Sequence, residues 1–325
     1  NLGSMIMIEI YPGRTVPGEP FRIQGPAHIS FSGGRTSALM LWLILQAHGG
    51  KLPPDVHVIF ANTGKERLET LDFVWQCGME WDIEILWVEW REEVRPGWTG
   101  PKSFGRWVYV DHASASRQGE PFATLITRRG YLPNVVKRYC TQELKIRPMV
   151  GVMIEKGYEV WTDVIGLRAD EQHRIARKRF TEVDPEEQLS LKAEGGRRKA
   201  EGGRRKDKLR YTYAMPLDPA GITKADVMAF WKQMPFDLAL RQHEGNCDLC
   251  FLKGIGKRIE IMRRRPEDAK WWIEQEAART ATFVKPGKAL DYKGLLWIAE
   301  HQLELSITDA MLEADDPSTE CHCHD

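Results

Sequence analysis

The chain has 325 residues, 46 Lys and Arg against 46 Asp and Glu, and six Cys. Its length supports a substantial core, in one elaborated domain or two modest ones, while zero net charge excludes a whole-molecule field drawing it to nucleic acid. The longest apolar run, Ala38 to Leu45, falls far short of the ~20 residues of a membrane-spanning helix. With no secretion leader pattern either, a cytoplasmic protein without membrane association is expected. Six cysteines in such a chain, some in a Cys-x-x-Cys pair, read as metal or redox chemistry rather than a disulfide framework.

Asn1 to Ser4, ahead of Met5, reads as an appended scar and stays outside the fold reading. The β-prone stretch from Ala27 runs into Ser32-Gly33-Gly34-Arg35-Thr36-Ser37 and then into the apolar run of a buried helix. Strand, tight turn and helix start leave free N–H groups around a turn whose glycines admit close approach, so an anion, most commonly phosphate, is the natural occupant. A glycine pair alone more often marks an ordinary turn. The string is neither a Walker A loop, lacking its Gly-Lys-Ser/Thr ending, nor a dinucleotide fingerprint, lacking its third glycine.

Val56 to Ala61 predicts a second strand ending at Asn62-Thr63-Gly64-Lys65-Glu66, followed by a helix over about 69–80 and a strand over 83–88. This alternation predicts an α/β fold, a parallel twisted sheet with flanking helices, whose ligands sit beyond the strand C-terminal ends so that both turns face one crevice. Residues 90–133 mix Pro, Gly, Ser and aromatics and read as an insertion over the active site, with room for short helices. Residues 134–156 read as helical with an interruption at Pro148, and 159–165 as a fourth strand closing on Gly166-Leu167-Arg168-Ala169-Asp170-Glu171. The heptapeptide Lys192–Arg198 recurs as Lys199–Arg205 with no apolar residue beyond Ala193 and Ala200. It therefore reads as a mobile basic insertion within 183–208, solvated or touching a polyanion. Beyond it come a short edge strand at 213–217, a helix over 224–233 capped by Thr223, and a tryptophan-rich helical region. Its Trp271, Trp272 and Trp297 are expected in the core rather than as a base-stacking platform. The expected domains are 20–217, the nucleotide-binding part, and 218–325, a Cys-containing helical C-terminal extension with a flexible tail.

Four strings together resemble the phosphoadenosine phosphosulfate (PAPS) reductase-like group of PP-loop, HUP-like ATP pyrophosphatases. They are Phe31–Ser37, Phe60–Glu66, Arg138–Pro148 and Gly166–Glu171, with Cys247–Lys253 as a further family-like element. The resemblance implies that Ser32, Gly33, Gly34, Arg35, Thr36 and Ser37 hold nucleotide phosphates. It implies that Asn62, Thr63, Gly64 and Glu66 line the second turn with Gly166 nearby, and that Lys145 and Arg168 pair with phosphate or sulfate oxygens. Without the flanking motif, both cations read as surface charges.

Iron–sulfur variants of this group use a Cys-Cys pair and a later Cys-x-x-Cys; here Tyr139 replaces one cysteine. Cys140, Cys247 and Cys250 remain as three thiolates for a 4Fe-4S cluster with one open iron. Alternatively they bind Zn²⁺ with His243, or stay as thiols or a redox disulfide. Cys77 reads as a buried small hydrophobe, and Cys321 and Cys323 as a tail without assigned role. The Ser-Gly-Gly-x-x-Ser form is that of members cleaving ATP, so the resemblance implies an ATP- and Mg²⁺-dependent sulfurtransferase, with Lys145, Arg168 and Cys140 at the reaction. The alternatives are a PAPS or APS reductase releasing sulfite, and a non-catalytic partner subunit. The implied partners are an adenine nucleotide, a nucleic-acid acceptor through the basic 192–206 stretch, a sulfur-donor protein and a second copy of the chain.

Overall fold

Apolar alternation begins earlier than the first strand predicted from sequence. Ile8 and Ile10 are buried while Met7 and Glu9 are exposed, and β1 (Met7–Tyr11) pairs antiparallel with β2 (Arg14–Pro17). The computed structural model describes residues 6–182, 210–279, 281–283 and 290–301. The basic repeat and the Cys321/Cys323 tail lie outside the described residues.

The chain continues through β3 (Ala27–Ser30), α1 (Arg35–Ala47), β4 (Val56–Asn62), α2 (Leu68–Glu80), β5 (Ile85–Trp90), β6 (Trp107–Val110) and α3 (Glu120–Arg129). Next come α4 (Tyr139–Thr141), a π-helical turn (Gln142–Ile146), α5 (Arg147–Glu155), β7 (Val160–Val164), α6 (Gln172–Glu182) and β8 (Arg210–Ala214). The helices α7 (Lys224–Trp231), α8 (Ile255–Arg264), α9 (Ala269–Arg279) and α10 (Tyr292–Glu300) complete it. Six strands form one mixed sheet in the order β6-β5-β4-β3-β7-β8. The β3/β7 and β7/β8 pairs are parallel and β5/β6 antiparallel. This is the α/β fold with flanking helices that the sequence predicts, its sheet mixed rather than wholly parallel because β6 pairs antiparallel with β5. No helix among the described residues is long and apolar enough to cross a membrane.

Two compact units divide the chain. The first takes the described residues of 1–30, 35–58 and 156–235. In it α1 buries Leu39, Met40, Leu41, Leu43 and Ile44; the indole of Trp42 lies 5.0 Å from Phe230, and Trp231 Nε1 donates to the Arg35 carbonyl at 2.9 Å. Thr223 caps α7 as expected, in a reciprocal box with Asp226. The second unit takes the described residues of 31–34, 59–155 and 236–325. Its core packs Trp90, Phe122, Ile126, Leu144 and Leu249 with Trp272, Phe283 and Tyr292.

Several boundaries differ from the sequence reading. Asp82 adopts φ 49° and the Ile83 N–H bonds the Gly78 carbonyl, so Ile83 closes α2 and the strand starts at Ile85. Residues 90–133 contain α3, in line with the short helices expected there, and also the strand β6, which the sequence reading does not predict. Pro148 does not interrupt its helix. Proline lacks an N–H and crowds the carbonyl four residues back, and the π turn opens the backbone immediately upstream. β8 ends at Ala214, before Pro216. Trp272 is buried as expected, but Trp297 is 52% exposed and stacks on His301, with ring centroids 4.4 Å apart.

Candidate active site

The glycine loop spans the end of β3 and the start of α1. Gly33 has φ +76°, and a Cβ there would meet Thr70 Cγ2 at 2.7 Å and Val74 Cγ2 at 3.0 Å, so only glycine fits. Gly34 differs: a Cβ would approach only Ser32 Oγ, at 3.5 Å. Packing forbids a side chain at the first position and leaves open space at the second. Ser37 is buried, and Ser32, Arg35 and Thr36 are half-buried. In the first unit, Gly166, just past β7, brings its backbone against this segment; a Cβ would lie 3.5 Å from Ser37 Cα and 3.7 Å from Thr36 Cγ2. Arg168 is fastened there by carboxylates, its Nε on Asp170 Oδ1 at 2.9 Å and its Nη1 3.4 Å from Glu171 Oε2.

The second turn is organised by buried carboxylates. Asn62 donates to Glu89 Oε1 at 2.6 Å, and Glu89 also accepts from the Ser116 N–H and hydroxyl. The opposite face of the Asn62 amide accepts the Gly64 N–H at 3.1 Å. Gly64, at φ +78°, sits against Pro121 and Gly119 where a Cβ has no room. Glu66 Oε2 accepts both the N–H and the hydroxyl of Thr63 at 2.7 Å, while its Oε1 lies 3.3 Å from Lys145 Nζ. Glu66 therefore ties this turn to the Lys145 segment.

The π turn explains the Cys140-to-Lys145 spacing. In a regular α-helix residues four apart share a face, and the extra residue of a π turn lets residues five apart do so. Cys140 and Lys145 accordingly line one pocket, with Thr63, Cys247, Cys250 and Trp272 among the other walls. Cys247 and Cys250 are joined by a tight turn, the Cys250 N–H on the Cys247 carbonyl at 3.3 Å. Thr63 Oγ1 lies 3.5 Å from Cys247 Sγ, and Cys247 forms an isolated antiparallel bridge with Glu66. Next to it, buried Lys65 pairs with Asp248 at 2.7 Å. Asp248 also accepts from Trp272 Nε1 at 2.8 Å.

Cys140, Cys247 and Cys250 thus line one pocket. Among the described residues no three His, Cys, Asp or Glu side chains are gathered closely enough to hold a metal ion. His243 is not part of the cavity wall; its Nε2 is engaged by Glu260 Oε2 at 2.6 Å. Cys77 is buried as expected, and burial pushes its thiol well above the ordinary range. The second unit therefore brings together Thr63, Glu66, Lys145 and the three cysteines, and the first brings together Thr36, Ser37 and Gly166. The sequence reading missed Lys65, Asp248, Glu89 and the Phe122 and Trp272 walls. Lys65 adjoins the motif residue Glu66 and Asp248 adjoins Cys247, and the two carry opposite charges, the one signal that points to them.

Residues 26–194 match the phosphoadenosine phosphosulfate reductase domain family. Over 231 residues the chain is 31% identical to the nin region protein ORF290 of Escherichia phage lambda, an alignment covering 70% of this chain and 67% of that protein. Among solved structures, U34-tRNA thiolase NcsA from Methanococcus maripaludis with its 4Fe-4S cluster aligns at 16% identity and a TM-score of 0.35. That alignment covers 93% of this chain and 84% of the thiolase.

Proposed function

The chain belongs to the phosphoadenosine phosphosulfate reductase domain family, and from that premise we propose that it uses ATP to activate an acceptor for sulfur transfer. One observation carries this reading: Cys140, Cys247, Cys250 and Lys145 line the same cavity as Thr63, the residue Glu66 anchors in the second turn. Thiol chemistry and a phosphate-pairing ammonium thereby share one space. An acceptor oxygen attacks the α-phosphate of Mg²⁺-bound ATP, pyrophosphate leaves, and a sulfur nucleophile then displaces AMP from the activated carbon. Within the second unit, the N–H groups of Gly33 and Gly34 and the Lys145 ammonium would stabilise the charge that grows on the phosphate oxygens, commonly the largest catalytic contribution in such reactions.

Cys140, Cys247 and Cys250 would hold a 4Fe-4S cluster, which would supply a site for bound sulfide. Zinc fits less well, because His243, the expected fourth ligand, does not line the pocket that holds the three cysteines.

Incubating the full chain, purified without oxygen, with ATP, PAPS or APS tests the reading, with pyrophosphate, AMP and sulfite measured together. Pyrophosphate and AMP from ATP in the presence of an acceptor are expected. Sulfite from PAPS or APS with no pyrophosphate from ATP would transfer the assignment to sulfonucleotide reduction, which the family match also supports. ATP binding with no turnover would leave a partner subunit. Cys140→Ser should lose sulfur transfer and keep ATP binding.

A further inference from the structure

The exposed strip leading into Cys140 is basic and aromatic. From Arg128 to Gln142 the chain carries Arg128, Arg129, Lys137 and Arg138 and no acidic residue. Tyr131 is 41% exposed, with Lys137 Nζ 5.3 Å from its ring centroid and the Tyr139 ring edge-on at 5.1 Å. The Tyr139 hydroxyl donates to the Tyr131 carbonyl, holding the platform in place. The tip is built as well: Asn134 Oδ1 accepts the N–H groups of Val136 at 3.0 Å and Lys137 at 2.9 Å. Further cations join by direct contact, since Arg129 and Arg147 share Glu143, and Arg279 donates to Thr127 Oγ1 at 3.0 Å. Arg128 faces Glu92 at 3.2 Å. Two residues beyond Arg138, Cys140 enters the cavity wall.

We propose that the strip 128–138 is a docking surface for a single-stranded polynucleotide, which presents the acceptor to the cysteine cavity. This rests on the sulfur-transfer reading and names its acceptor class. Cations spaced along an extended strip match a phosphate backbone, and a half-exposed tyrosine beside them offers a stacking face to an unpaired base. A duplex, its base faces already stacked, would use the cations alone. An acidic protein would leave the ring unused.

The test is binding of the full chain to labelled single strands of about 15 nucleotides, RNA and DNA in separate arms, by fluorescence anisotropy over a salt series. Duplex and poly-glutamate serve as comparison probes. The double variant Arg128→Ala/Lys137→Ala should bind about tenfold more weakly and lower the salt slope by about 0.7 for each phosphate no longer neutralised. Tyr131→Ala should weaken binding severalfold with the slope unchanged, because stacking releases no counterions. Thermal melting checks that these exposed changes leave the fold intact. Affinity unmoved by both variants, equal affinity for duplex or poly-glutamate, or binding abolished by deleting 192–205 alone would each overturn the proposal. Pyrophosphate release from ATP is followed in parallel. Its absence with every acceptor, alongside strip-dependent binding, would defeat the sulfur-transfer reading and leave the docking surface standing.

Discussion

In the glycine loop the determinants lie within seven consecutive residues, Phe31 to Ser37, and the conformation is set by one positive φ at Gly33 and the side chains packed against it. In the cysteine cavity the walls come from segments around 63, 140 and 250, and buried charges tie them: Glu66 to Lys145, and Lys65 to Asp248. The loop is specified by what it cannot contain, a Cβ. The cavity is specified by what it must contain, a partner for each buried charge. The first kind of site tolerates change everywhere except at one or two atoms, whereas the second fails when any partner is removed.

The largest effect should therefore come from the cavity. Asp248→Ala strands the buried Lys65 ammonium and leaves Trp272 Nε1 without its acceptor. Removing one member of a buried ion pair costs about 3–5 kcal/mol, readable as a shift in the urea midpoint. Asp248→Asn keeps a hydrogen-bond acceptor for the indole and should recover part of that loss. Equal stability for wild type and Asp248→Ala would mean that the pair is solvated and the contrast with the loop is false.

A smaller loss is expected at Gly33. Holding an L-residue in the left-handed region costs about 1–2 kcal/mol, and the added methyl would also press on Thr70 Cγ2, 2.7 Å away. Thr70→Ser removes that methyl, so the double variant Gly33→Ala/Thr70→Ser should regain the Thr70 share of the steric cost and retain the backbone part and the Val74 contact at 3.0 Å. Full recovery would show that φ contributes nothing here. No recovery would assign the cost to φ and Val74.

The same contrast governs how much the sequence could reveal. β3, α1, β4 and α2 were legible because glycine position and apolar periodicity are local properties. The four-residue β6, set among Pro, Gly and aromatic residues, carried no such period, and its existence depends on pairing with β5. The three cysteines could be singled out as residues, and the resemblance suggested that they converge. The contacts that organise their cavity could not be read: Thr63 and Cys247 meet across 184 positions. Lys65 and Asp248 look like ordinary surface charges until the Glu66–Cys247 bridge brings their segments side by side. His243 shows the converse, a ligand type at plausible spacing that does not line the pocket with the three cysteines.

The smallest effect on stability, and the sharpest test of the loop, belongs to Gly34. Its neighbour Gly33 is accounted for by packing, but nothing in the fold requires glycine at 34, where an added Cβ meets one hydroxyl at ordinary contact distance. Gly34→Ala should therefore unfold within about 0.5 kcal/mol of wild type, the range of substitutions that disturb no buried group. If the loop N–H groups cradle phosphate, the missing side chain leaves room for the ligand, because a methyl at 34 would stand where the anion must approach the backbone. ATP affinity measured by calorimetry should then fall at least about tenfold, equivalent to ~1.4 kcal/mol, in a protein whose melting is unchanged. Glycine at 33 would be kept by the fold and glycine at 34 by the nucleotide. Unchanged affinity for ATP and PAPS in a well-folded Gly34→Ala protein would instead make the second glycine a mere turn residue, and the loop would lose its standing as the phosphate site.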